Sequence, residues 1–132
     1  MVPPPIPEDI RRFVLTSIAS VPHLEALLLL RGARGRDWSA QKVAERLYIG
    51  EKVAARLLDE LCRSGMAAPC PLANGAACYR YQPASPALGA TIDALADLYA
   101  RRLVDITNLI HSSLDRKAQQ FADAFLLRKE PR

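Results

Sequence analysis

The chain has 132 residues, half of them hydrophobic and 24% charged, with a formal net charge of +4. That is enough apolar material to build a folded core, and it excludes a chain that is disordered throughout. The positive balance permits a polyanionic partner without demanding one.

The first residues, M-V-P-P-P-I-P, have neither the basic region nor the apolar region of a signal peptide, and 1–6 reads as a proline-rich arm. Pro7, Glu8 and Asp9 open a helix over 7–19, with proline at its first position and acids in its first turn. Ile10, Phe13, Val14 and Ile18 recur at helical spacing and give it one apolar face. That face suits the C-terminal helices or a dimer partner, or a simple cap on the domain.

Ser20 is an N-cap with Pro22 just behind it, and L-E-A-L-L-L-L-R continues as a helix to Gly32. A helix apolar all round is a buried one. His23, in its first turn, is expected at the surface or as a cap. The leucine run 27–30 is far too short to span a bilayer, which needs about 20 residues. A cytoplasmic location without membrane contact is therefore expected. R-G-A-R-G-R-D, 31–37, reads as a solvated basic connector rather than a phosphate loop. Trp38, the only tryptophan, is expected to pack under the hairpin that follows.

Two short helices come next. The first starts at Ser39 and turns Val43, Ala44 and Leu47 inward. The second starts at Gly50 and turns Ala54, Leu57, Leu58 and Leu61 inward. After R-S-G, the segments M-A-A-P-C-P-L and A-A-C-Y-R-Y-Q flank Asn74-Gly75, the strongest two-residue hairpin signal. Pro69 and Pro71 cannot donate to a ladder, so they belong on an edge strand or beyond the pairing. Helix, turn, helix, two-stranded wing is the order of a winged helix-turn-helix, here over 20–84.

The step from Leu47 through a short turn to Ala54, continued by R-L-L-D-E-L from Arg56, resembles the pattern of bacterial winged helix-turn-helix regulators, MarR- and PadR-like in general form. The resemblance covers about Ser20 to Gln82. It implies a mainly α fold with a small β-hairpin, and a homodimeric transcription regulator that binds double-stranded DNA. Its recognition helix, about 50–64, would enter the major groove. Lys52 and Arg56 would lead there, beside Glu51 and Ala55. Ser39, Gln41 and Lys42 would hold phosphate at the preceding helix start, and Arg80 would serve the wing. Two positions depart from the pattern: Tyr48 stands where many such turns have glycine, and Gly50 caps where serine or threonine is common. The face Glu51, Lys52, Ala55, Arg56, Asp59 is only thinly basic. A winged-helix protein-interaction module without DNA binding is the alternative.

Ser85-Pro86 opens a helical pattern to about Ser112, and a second starts near Ser113. Leu88, Ile92, Leu95, Tyr99, Leu103, Ile106 and Ile110 form one apolar stripe, extended by Phe121 and Phe125. Residues 85–132 are therefore expected to be a dimerisation extension, with packing inside one chain as the other possibility.

Cys62, Cys70 and Cys78 are odd in number and fit no zinc spacing, so reduced structural cysteines, no disulfide and no metal are expected. A two-residue hairpin loop sets Cys70 opposite Tyr79; a three-residue loop sets it opposite Cys78. No catalytic order of Ser, His and Asp, no phosphate-binding glycine loop and no H-E-x-x-H motif is present, so neither an enzyme nor a cofactor is expected. No residue cluster marks an effector.

Overall fold

The computed structural model describes residues 4–70 and 77–129, with side chains described as far as residue 125. In chain order the elements are α1 (Glu8–Ser17), α2 (Val21–Gly32), α3 (Ala40–Leu47), α4 (Glu51–Arg63), β1 (Ala67–Cys70), β2 (Cys78–Tyr81), α5 (Pro86–Arg101) and α6 (Leu103–Lys129). The fold is mostly helical with a small antiparallel hairpin.

α2 is the central post. The Ser20 hydroxyl accepts the His23 N–H at 3.2 Å and starts it. Leu24, Leu27 and Leu30 are fully buried. α3 and α4 pack on α2, and α4 contributes Ala54, Leu57, Leu58 and Leu61. α3 and α4 pack on each other, and the small residues Ala44 and Ala54 are both buried. Truncating one of these fully buried leucines to alanine removes contacts on every side, at about 2–5 kcal/mol. α1 lies against α5 and α6, with Ile10 and Val14 buried and Phe13 partly so.

His23 is buried, contrary to the expected surface position, and its Nδ1 has no partner among the described residues. The first turn of α2 is already inside the core because α4 covers it, and Glu60 is the nearby charge.

The hairpin pairs Ala67 with Tyr81, Ala68 with Arg80, Pro69 with Tyr79 and Cys70 with Cys78. Asn74-Gly75 lies outside the described residues. The expectation of three reduced cysteines is overturned: Cys70 and Cys78 are disulfide-bonded, with Cα atoms 5.3 Å apart, and Cys62 is free. The register is the reason, since it sets Cys70 opposite Cys78 rather than Tyr79.

Trp38 bridges to the other side of β2. Its N–H donates to the Tyr79 carbonyl at 2.8 Å, and the Tyr79 N–H donates to the Trp38 carbonyl at 2.7 Å. Both polar groups of Tyr79 thus face Trp38 rather than Pro69. Pro69 sits at a position of β1 that donates nothing to β2, which is how a proline fits there. Trp38, 2% exposed, anchors the wing as the sequence suggests.

The helical pattern after Ser85 breaks at Arg102, not near Ser113. Arg102 has φ −134° and ψ 55°, and its side chain donates to Asp105 at 2.9 Å and to the Pro4 carbonyl at 2.6 Å. The break turns Ile106 and Ile110 back into the core, where both are fully buried. An unbroken rod rising about 1.5 Å per residue would carry them away from it.

Candidate nucleic-acid interface

α3, the turn and α4 present one continuous outer surface. The Ser39 hydroxyl accepts the Lys42 N–H at 3.2 Å, so it caps α3 and is engaged by the backbone. Tyr48 ends α3 in the left-handed region, φ 57° and ψ 45°, and is the only non-glycine among the described residues with positive φ. The conformation is the one that glycine adopts freely, and here a tyrosine that is 94% exposed holds it. The Ile49 N–H returns to the Ala44 carbonyl at 3.1 Å and closes the turn. Gly50 then starts α4 with no side-chain cap.

The outer face of α4 shows Glu51, Lys52, Val53, Arg56 and Asp59 to solvent, with Ala55 half-buried. Gln41 and Lys42 are exposed on the first turn of α3, and Gln41 leans to Glu45 at 3.4 Å. Lys42, Lys52 and Arg56 form no ion pair among the described residues. A shallow depression of about 610 Å³ lies at the start of α4, lined by Ala40, Gly50, Glu51, Lys52, Val53 and Ala55.

Two further cations that sequence reasoning missed lie beside Trp38. The Arg36 and Arg46 guanidinium carbons stand 6.0 and 5.7 Å from the Trp38 ring centroid. With Lys42 and Glu45 they line a polar cleft of about 310 Å³. The helical step from Lys42 to Arg46 was a signal for one of them. Arg36 is brought there only by the Trp38–Tyr79 bridge.

Arg80, expected at the wing, is occupied. Its Nε and Nη2 donate to one Asp37 oxygen at 3.0 and 2.6 Å. The loop before Trp38 is also pinned rather than free: Arg31 and Arg34 both donate to the same oxygen of Asp93 on α5, each at 2.9 Å.

The stripe assigned to dimerisation divides in two. Ile92, Leu95, Tyr99, Ile106 and Ile110 are buried within the single chain, and Leu88 is half-buried. The packing of α1 on α5 and α6 accounts for them. Leu103, Phe121 and Phe125 are exposed, together with Val104 and Leu114. Tyr99 donates to Glu25 at 2.7 Å; burial first, then this carboxylate, pushes its phenol up to about 12. Burial also raises the Cys62 thiol, and Asp59 adds to that.

No protein-family model matches the chain, and no curated relative does. Solved structures do match. Reduced HlyU from Vibrio cholerae N16961 is 22% identical, covers 69% of this chain and 90% of its own, and superposes with a TM-score of 0.52. The fold is that of a MarR-like winged-helix regulator. The reduced form of MarR from E. coli matches at 14% identity over 92% of this chain and 85% of its own, TM-score 0.55. MepR, described as a transcription regulator of the Staphylococcus aureus multidrug efflux pump MepA, matches at 9% identity over 93% and 89%, TM-score 0.56. In this MarR-like frame α3 and α4 form the helix-turn-helix and β1–β2 the wing. Among the described residues no single helix is long and apolar enough to cross a membrane.

Proposed function

We propose that this chain is a DNA-binding transcription regulator that acts as a homodimer in the bacterial cytoplasm, with α4 as the recognition helix. One observation carries the reading. Lys52 and Arg56 project from α4 without carboxylate partners among the described residues, and Lys42 is exposed and likewise unpaired on the first turn of α3. Cations left free of ion pairs are available to phosphate and to base edges. The regulators it resembles in fold support the same assignment. Ser39, Gln41, Glu51 and Ala55 would border the contact. Residues 20–84 would form the reading domain and 85–132 the dimerising extension, with Leu103, Leu114 and Phe121 at the partner's surface.

A second reading has its own observation. The depression at the start of α4 is floored by Ala40, Val53 and Ala55, and Tyr48 stands exposed near it. Such a surface suits a protein partner. Fluorescence anisotropy with random duplex and a genomic fragment pool, across a salt series, separates the two. DNA reading requires a steep linear fall of log K with log salt. Binding no tighter than about 10⁻⁴ M at physiological salt assigns the surface to a protein partner instead.

A further inference from the structure

Three donor groups converge beside the wing that the DNA-contact reading does not use. The Cys70 and Cys78 sulfurs and an Asp37 carboxylate oxygen all lie within 4.8 Å of one another. They come from three backbone segments locked in register: β1 and β2 by their ladder, and the Asp37–Trp38 segment by the paired hydrogen bonds of Trp38 with Tyr79. Because side chains alternate along a strand, Cys78 and Arg80 share one face of β2, and Asp37 reaches Arg80 across it. The β1–β2 ladder and the Trp38–Tyr79 pair are backbone hydrogen bonds, so they hold the three segments together independently of the disulfide.

The geometry points to a redox-gated site for a thiophilic divalent cation, zinc or cadmium in kind, formed by Cys70, Cys78 and Asp37. In the oxidised wing both sulfurs are spent on each other. Two equivalents of a low-molecular-weight thiol open the bond by exchange, giving two cysteine thiols and one external disulfide. The cation then replaces the two thiol protons, which leave to solvent, and is held by two thiolates and one carboxylate oxygen, with water in the fourth position. A thiolate pair selects zinc or cadmium over the oxygen-seeking magnesium and calcium. Both Arg80 hydrogen bonds fall on one Asp37 oxygen, so the other is open to the cation and Arg80 serves as the partner that orients the ligating carboxylate.

The test needs no DNA, so its failure is separate from failure of the DNA-contact reading. Cadmium is titrated into the full chain, reduced or oxidised, and thiolate-to-metal charge-transfer absorption is followed. The reduced protein takes up one cadmium per chain, and the oxidised protein none. Cys78→Ser abolishes uptake, Cys62→Ser leaves it unchanged, and Asp37→Asn weakens it by about tenfold or more. The unmodified protein gives an independent readout that does not depend on how variants fold: cadmium protects Cys70 and Cys78 from alkylation while Cys62 stays reactive, read by mass spectrometry. No uptake by the reduced chain, equal uptake by the oxidised chain, an unchanged affinity in a folded Asp37→Asn variant, or protection centred on Cys62 overturns the site.

Discussion

Asp37 holds Arg80 through a single carboxylate oxygen, at 2.6 Å from one guanidinium nitrogen and 3.0 Å from another. The pair joins the loop before Trp38 to the wing and neutralises the wing's one described cation. Its side chains are 40% and 44% exposed, so its contribution to stability is at most about 1 kcal/mol. Its effect on binding should be larger than its effect on folding. In metal-free buffer, Asp37→Asn is expected to tighten binding to random duplex and to raise the salt slope by about one unit, as one more phosphate contact forms. An unchanged slope means that Arg80 does not reach the backbone even when released.

Lys52 and Arg56 should behave differently from each other. If Arg56 pairs with a base edge, Arg56→Ala costs about 1–3 kcal/mol on a specific site and relaxes preference at one position. Lys52→Ala weakens all sequences alike and lowers the salt slope by about one unit. Helix content should not change in either, since both side chains are exposed. Circular dichroism together with anisotropy reads this, and two variants that bind DNA as the unmodified chain does would move the interface off α4.

Tyr48 bears a backbone conformation that costs an ordinary residue roughly 1–2 kcal/mol. Tyr48→Gly removes that cost but adds entropy to the unfolded chain. The net expectation is a gain of about 0.5–1 kcal/mol, read as a higher urea midpoint at constant slope. A fall in stability would show that the exposed ring makes contacts worth more than the strain.

His23 should make the fold sensitive to acid. Burial holds its imidazole below the ordinary value, and Glu60 only partly offsets this. Above about pH 6.5 both folded and unfolded chains carry it neutral, so it costs nothing. Below that, the unfolded chain takes the proton first, and stability falls until the lower folded pKa is passed. Denaturation midpoints measured from about pH 7.5 down to about pH 5 should decline, and His23→Leu should flatten the decline. A His23→Leu variant with the same pH profile would place the acid-sensitive group elsewhere.

The exposed residues of α6 and its start test assembly. Sedimentation of the unmodified chain should show a dimer. Leu103→Glu with Phe121→Glu should give a folded monomer, because both side chains are exposed in the single chain. Ile106 is not a fit target for that experiment, since it is fully buried and a charge there would enter the core. A unmodified chain that stays monomeric at every concentration removes the symmetric mechanism.

Local signals carried most of the elements. Ser20, Ser39 and Ser85 each accept a backbone N–H three residues on, and each was readable as a cap. The inward residues of α3 and α4 were readable from their spacing. Other features had no local signal. Arg102 is neither glycine nor proline, so no local residue type marked the break there. Periodicity shows that a face is buried but not what covers it, so the stripe of α5 and α6 read first as an interface although much of it is core. The hairpin register sets Cys70 opposite Cys78 rather than opposite Tyr79 as a two-residue Asn-Gly loop implied, and with it went the cysteine pairing. At the candidate site, the exposure of Lys52 and Arg56 was legible. The capture of Arg80 by Asp37 was not, because 43 residues separate them.

Pro69 also decides how the wing meets its own kind. β2 is flanked by β1 on one side and by Trp38 on the other, so β1 alone offers an open rim. At Pro69 that rim has no N–H to give, at the very residue whose polar groups turn away from β2. A foreign strand trying to zip along β1 would meet a missing bond in the middle of a four-residue edge. The wing is therefore guarded against strand-on-strand growth.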